Sequence, residues 1–108
     1  MNDDRAVAML SALAQPTRFG VFRLLMRRGE EGVAAGEIAR RLDVPQNTLS
    51  NHLNILSNAG LITSNRDGRN LYYRARVDDT KDFIGYLVND CCDGHPEICA
   101  IPILDRTS

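Results

Sequence analysis

The chain has 108 residues, 44% of them hydrophobic and 25% charged, with a formal net charge of −1. That size suits one domain with a modest core, and the balance is that of an ordinary globular protein, not a disordered or fibrous one. No apolar run approaches the roughly 20 residues of a membrane span. Met1-Asn2-Asp3-Asp4-Arg5 also lacks the basic-then-apolar pattern of a secretory signal. A cytoplasmic protein with no membrane partner is expected, its three cysteines kept as thiols.

Asp3 or Asp4 can cap a first helix, along which Val7, Leu10, Leu13 and Ala14 recur at helical spacing. Pro16 suits a first turn and opens a second helix to about Arg28, with Phe19, Phe22, Leu25 and Met26 as its apolar side. Gly20 within it costs about 1 kcal/mol against alanine unless close packing compensates. Gly29-Glu30-Glu31-Gly32 is a loop. A third helix, Ala35 to Leu42, groups Ala35, Ile38, Ala39 and Leu42, and Ala34 stands where a Ser or Thr would pair with Glu37 in a capping box. Asp43-Val44-Pro45 ends it, because a residue before proline is pushed out of helical geometry. The fourth helix, Gln46 to Ala59, buries Leu49, Leu53 and Leu56 and shows Gln46, Asn47, Thr48, Ser50, Asn51 and Asn54 outward, with Gly60 as its stop. A helix, a short turn and a helix with a hydrogen-bonding outer face form the pattern of a helix-turn-helix DNA reader.

Beyond Gly60 the period becomes two. Leu61 to Arg66 and Arg69 to Val77 read as strands around Asp67-Gly68, a strong hairpin signal. Leu71, Tyr73, Ala75 and Val77 share one face, and Arg66 and Arg69 stand at the tip. Asp78-Asp79 then caps a last helix to about Asp90, with Phe83, Ile84, Leu87 and Val88 on one side. The expected fold is mainly α with a small β-hairpin: a winged helix-turn-helix over residues 1–90, followed by a tail at 91–108. The first and last helices carry apolar stripes that so small a domain struggles to bury alone. They point to a homodimer built through Val7, Leu10, Phe83 and Leu87.

Local sequence carries a further likeness. Ala14-Gln15-Pro16-Thr17-Arg18-Phe19 resembles the "Ala-x-Pro-Thr-Arg-Leu" opening of the ArsR/SmtB family of metal-responsive repressors. Gln46-Asn47-Thr48-Leu49-Ser50-Asn51-His52-Leu53 is similar to that family's recognition helix, and Leu56-Ser57-Asn58-Ala59-Gly60-Leu61 to its exit. Asp67-Gly68-Arg69-Asn70-Leu71-Tyr72-Tyr73 resembles its wing. The resemblance implies a homodimer joined by the first and last helices and bound to an imperfect palindrome of double-stranded operator DNA. No Gly-rich phosphate loop and no paired acid and base argue for an enzyme.

Residues 1–77 hold eleven arginines against seven acids, a balance of +4, whereas residues 78–108 hold Lys81 and Arg106 against seven acids, −5. A basic body can engage DNA through one face. The recognition helix has no Lys or Arg; Gln46, Asn47, Thr48, Ser50 and Asn51 are its base-facing candidates, since amides pair with adenine and hydroxyls serve several bases. Phosphate attraction then falls to Arg66 and Arg69, with Arg40 and Arg41 as weaker candidates. His52 lies beside the leucine stripe, where a packing or backbone-bonding histidine is expected rather than a ligand.

All three cysteines sit in Asp90-Cys91-Cys92-Asp93-Gly94-His95-Pro96-Glu97-Ile98-Cys99. Thiolates select soft ions, and three without an obligatory fourth ligand suit As(III) or Sb(III), which bind three sulfurs in a pyramid. Gly94 and Pro96 let the chain turn so that Cys99 can return to Cys91 and Cys92. Within the resembling family, arsenical repressors carry cysteine triads at various positions, including the segment after the last helix. The first helix of the reader has no cysteine and the last helix no histidine, so two other metal sites of the family are incomplete. Adding His95 gives a Cys3His set for zinc, cadmium or lead, and a thiol redox switch is a third reading.

Overall fold

The computed structural model describes residues 1–90; Cys91, Cys92, His95 and Cys99 lie outside the described residues. The chain runs α1 (Asp3–Leu13), α2 (Pro16–Arg28), a 3-10 turn (Gly29–Glu31), β1 (Val33–Ala34), α3 (Ala35–Leu42), α4 (Gln46–Asn58), β2 (Ile62–Asp67), β3 (Asn70–Ala75) and α5 (Val77–Gly85), closing in a π-helical turn at Tyr86–Asp90. It is mainly helical with a three-stranded antiparallel sheet ordered β1-β3-β2.

Side-chain caps mark the starts of α1 and α2 only, and two of the helix starts differ from expectation. Asn2, not Asp3 or Asp4, caps α1: its side chain accepts from the Arg5 N–H at 2.9 Å. Gln15 does the same for α2, accepting from the Arg18 N–H at 2.9 Å with Pro16 following. Asp78 and Asp79 lie in the first turn of α5 instead of capping it; Arg76 holds the cap position without a side-chain bond. Neither α3 nor α4 has a side-chain cap. Asp43 ends α3 in the left-handed region at φ 54°, a conformation Asp tolerates better than most residues. Gly60 ends α4 at φ 84°, with its N–H on Ser57 O and the Leu61 N–H on Leu56 O, a Schellman arrangement that drives the buried Leu61 into the core.

The core gathers Met9, Val21, Leu25, Val33, Ile38, Leu49, Leu53, Leu56, Leu61, Ile62, Tyr73 and Phe83. The expected stripes of α3 and α4 face it. Those of α1 and α2 are rotated by about one position. On α1 the buried residues are Ala6, Met9 and Ala12, while Val7 and Leu10 are 62% and 46% exposed. On α2 they are Val21 and Leu25, with Phe22 and Leu24 half-buried, whereas Phe19 and Met26 are exposed. Helical periodicity identifies an apolar face without saying whether the chain's own core covers it. Phe19 is partly shielded by Arg23, whose guanidinium stands 5.7 Å from the ring centroid. At Gly20 a Cβ would meet the Leu42 methyls at 3.5 and 3.9 Å, so α2 and α3 approach closely there.

The hairpin pairs Ile62 with Ala75 through to Asp67 with Asn70. The two-residue turn is therefore Gly68-Arg69, one position beyond the expected Asp67-Gly68. Gly68 has φ 65° and Arg69 is not among the positive-φ residues, which is the requirement of a type II′ turn. Val77 belongs to α5, not to the strand: the Arg76 N–H bonds Leu61 O at 2.9 Å as the last rung of the ladder, and the Thr80 N–H on Arg76 O at 2.9 Å begins the helix. The short β1, absent from the sequence reading, docks Val33 on Tyr73 and Ala34 on Tyr72, tying the base of the wing to the start of α3. Among the described residues no helix is long and apolar enough to cross a membrane.

Candidate nucleic-acid interface

Leu49, Leu53 and Leu56 are each at most 2% exposed. That anchors one side of α4 and leaves Gln46, Asn47, Thr48, Ser50, Asn51 and Asn54 exposed on the other. The polar row is not uniform. Asn47 spends its amide oxygen on the Thr48 N–H at 2.9 Å, and Ser50 donates to Gln46 O at 3.0 Å. Among the described residues the side chains of Gln46, Thr48 and Asn51 make no such bond, so their donors and acceptors remain for an outside partner. Without a side-chain cap or an acid in its first turn, α4 also leaves the positive end of its dipole open to an anion.

Cations flank this face unequally. The hairpin leaves the body after Thr63, and from Ser64 to Asn70 every residue is exposed; Arg66 and Arg69 stand at that tip with no ion pair among the described residues. A Cβ on Gly36 would lie 3.5 Å from Gln46 Nε2 and 3.9 Å from an Arg40 guanidinium nitrogen, which places Arg40 over the entry to α4. Arg41 is otherwise engaged: it donates to Glu37 at 2.9 Å, and Arg28 donates to the same carboxylate oxygen at 2.9 Å. Those two guanidinium groups, Arg28 first, hold the Glu37 carboxyl below its usual range. Burial pushes the Tyr73 hydroxyl up, in keeping with a ring in the core. Arg74 is also occupied: Asn65, with its amide oxygen turned toward it, accepts from Arg74 at 2.9 Å.

His52 is half-buried and meets Arg18, with Nδ1 3.3 Å from the guanidinium. The residue therefore points into the body and does not join the reading face. Arg18 was legible only as part of a family-like motif. A cation in the first turn of a helix opposes the helix dipole, and that imbalance was the available signal that it has a partner elsewhere. Of the four residues expected at a dimer seam, Val7 and Leu10 are open on α1, Phe83 is 6% exposed within the chain's own core, and Leu87 packs half-buried against that core. Among the described residues no group of three or more His, Cys, Asp or Glu is placed to hold a metal ion.

A helix-turn-helix domain family matches residues 13–65. The transcriptional repressor SdpR of Bacillus subtilis is 32% identical over 81 residues, covering 75% of this chain and 87% of SdpR. An ArsR-like transcriptional regulator from Rhodococcus sp. RHA1 superposes with a TM-score of 0.73 at 27% identity, over 83% of this chain and 82% of its own. The homodimeric winged helix-turn-helix DNA-binding domain of a Mycobacterium bovis protein gives 0.66 at 29% identity, over 90% and 92%. Fold and exposed reading face define a winged helix-turn-helix DNA-binding regulator, not an enzyme. The chain belongs to the ArsR family of transcriptional regulators.

Proposed function

We infer that this regulator is a cytoplasmic repressor that binds a palindromic operator as a homodimer and releases it when trivalent arsenic or antimony engages Cys91, Cys92 and Cys99. The observation that carries the inducer is the concentration of all three cysteines within nine residues, 91–99, directly after the last described element. Three thiols displace the hydroxyls of arsenous acid as water and bind the neutral inducer without a charged pocket, which matches the soft-ligand preference of such ions. Contacts between α1 and the segment around α5 would carry the signal inward. The Tyr86 hydroxyl donates to Asp3, and Asp79 lies 3.8 Å from Arg5 while accepting from Arg76 at 2.7 Å. These contacts join α1 to the first turn of α5 through Asp79 and to the exit of α5 through Tyr86, and the outer face of α1 carries the exposed Val7 and Leu10. Binding of inducer and of DNA then oppose each other by one coupling free energy.

The test is fluorescence anisotropy of the reduced protein on the tightest duplex selected from a randomised pool, titrated with arsenite, antimonite, zinc and cadmium. Arsenite or antimonite should release the wild-type protein and leave a Cys91→Ser/Cys92→Ser/Cys99→Ser protein bound. Release by zinc or cadmium alone would transfer the role to the set that includes His95, and release by oxidant alone to a thiol switch. If arsenite freed the triple variant, the cysteine assignment would fall; if no duplex were enriched, the DNA reading would fall with it.

A further inference from the structure

The three-way junction at Arg18 is absorbed neither by the reading face nor by the cysteine tail. Arg18 lies in the first turn of α2, where its charge opposes the helix dipole. Its guanidinium leaves α2. Nε donates to Ala12 O at 2.6 Å, and Nη1 lies 3.3 Å from His52 Nδ1. Ala12 belongs to the last turn of α1, which has no basic residue of its own, so Arg18 supplies the cation that a helix C-terminus favours. An arginine has only donors to give, which makes His52 Nδ1 the acceptor. One side chain thus bonds the end of the helix that carries the exposed Val7 and Leu10 and the middle of the helix that carries Asn51.

Leu49, Leu53 and Leu56 hold α4 against the body, but apolar contact is non-directional and resists burial loss more than rotation about the helix axis. A charge-assisted hydrogen bond is directional. His52 directly follows Asn51 in the sequence, so a bond that fixes His52 also fixes the azimuth of Asn51. A second contact acts at the far end of α4: a Cβ on Gly60 would meet Arg5 Nη2 at 3.0 Å and Met9 Cε at 3.6 Å, so α1 also lies against the exit of the reading helix.

We propose that Arg18 and His52 are positioning residues that fix the rotation of the recognition helix relative to α1, setting sequence-specific DNA affinity without touching DNA. This rests on the reading that α4 reads base edges. It requires that loss of the bond weaken specific binding while non-specific binding, which depends on phosphate attraction, is unchanged. His52→Leu keeps the volume and removes the acceptor. It should bind the selected duplex about 10-fold more weakly, the scale of one hydrogen bond to a charged group, with affinity for a scrambled duplex unaltered. His52→Gln restores an acceptor oxygen and should recover most of the loss. Arg18→Met, which also removes the bond to Ala12 O, should lose at least as much as His52→Leu, and the double variant no more than Arg18→Met alone, because the Arg18–His52 bond is lost in both. Thermal melts show which variants are folded at the assay temperature. Should His52→Leu not be, the comparison of His52→Gln with His52→Ala takes its place. Wild-type specific affinity in a folded His52→Leu protein, failure of His52→Gln to rescue, or additive losses in the double variant would each overturn the proposal. Absence of selective binding by the wild-type protein would instead remove the DNA reading on which it stands.

Discussion

The wing gives the most quantitative prediction. From Thr63 to Asp67 the first wing strand advances four residues, about 13 Å at the rise of an antiparallel strand, and Arg66 and Arg69 sit at its end, exposed and without an ion pair among the described residues. The reading helix has no Lys or Arg, so these side chains are expected to supply much of the phosphate attraction. Each neutralised phosphate contributes about 0.9 to the slope of log affinity against log salt. Two arginines per chain in a dimer make four contacts, so Arg66→Gln/Arg69→Gln should flatten that slope by about 3.6. Between about 0.05 and 0.2 M salt, the wild-type protein should then lose about 100-fold more affinity than the variant. Anisotropy titrations across that range measure both slopes on one duplex. Because neither side chain packs in the core, melting should be unchanged. Parallel slopes for the two proteins would show that the wing arginines meet no phosphate and would return the electrostatic role to Arg40 and the open end of α4.

Four further outcomes follow from the geometry. Asn51→Ala should weaken selected-duplex binding by about 10-fold or more, the discrimination of one paired amide contact, with little change in melting; near-wild-type affinity in a folded variant strikes Asn51 from the contact surface. Gly20→Ala should stabilise the fold by about 1 kcal/mol, because its methyl would meet Leu42 at ordinary van der Waals distances of 3.5 and 3.9 Å; denaturant unfolding that shows a loss refutes this. Gly60→Ala should do the opposite, costing about 1–2 kcal/mol from its φ of 84° and the 3.0 Å approach of Arg5, and a neutral melt would contradict it. Glu37 has a folded pKa below its ordinary value of 4.5 because of Arg28 and Arg41. Its stabilisation is therefore present above that ordinary value and is lost as pH falls through the lowered one. Acid melts of Glu37→Gln should accordingly be less pH-dependent than wild type below about pH 5, and superimposable acid limbs would remove the pair from the stability account.

The reading head was legible because two independent patterns coincide in it: a 3.6-residue leucine stripe and a polar row with nothing to bury. The hairpin was legible from its period-two segment, although turn chemistry placed the loop one residue early. Asp67-Gly68 is the commoner dipeptide, yet Gly68 has the left-handed φ at the first loop position. The phase of α1 was not legible. Ala6, Met9 and Ala12 face inward and Val7 and Leu10 outward, and both sets are apolar at helical spacing. Hydrophobicity alone selects the bulkier set, whereas the core accepts small alanines where helices pack closely. Two residues of β1 are too few for any periodicity, and the Arg18 junction spans 34 positions to His52, beyond any local pattern. The division of the basic residues was equally hidden: Arg40 and Arg41 are neighbours in sequence, yet it is Arg41 that joins Arg28 on Glu37.

Magnitudes also constrain how release can work. An inducer that lowers DNA affinity 100-fold must distinguish the two forms by about 2.7 kcal/mol. The Arg5–Asp79 pair is 3.8 Å apart, with side chains 50% and 24% exposed, and such surface pairs contribute about 0–1 kcal/mol. Breaking it alone is too small a change. Enough free energy is available where α1 packs: Met9 is fully buried and approaches Gly60 at the exit of α4, and a shift that opened that contact would expose apolar surface and strain the Arg18 junction together. On the proposed reading, release would act through a movement of α1 relative to the reading helix. The Arg5–Asp79 pair and the Tyr86–Asp3 bond mark where the last helix and its exit hold α1; on the proposed reading the buried contact and the Arg18 junction set how much that movement is worth to DNA.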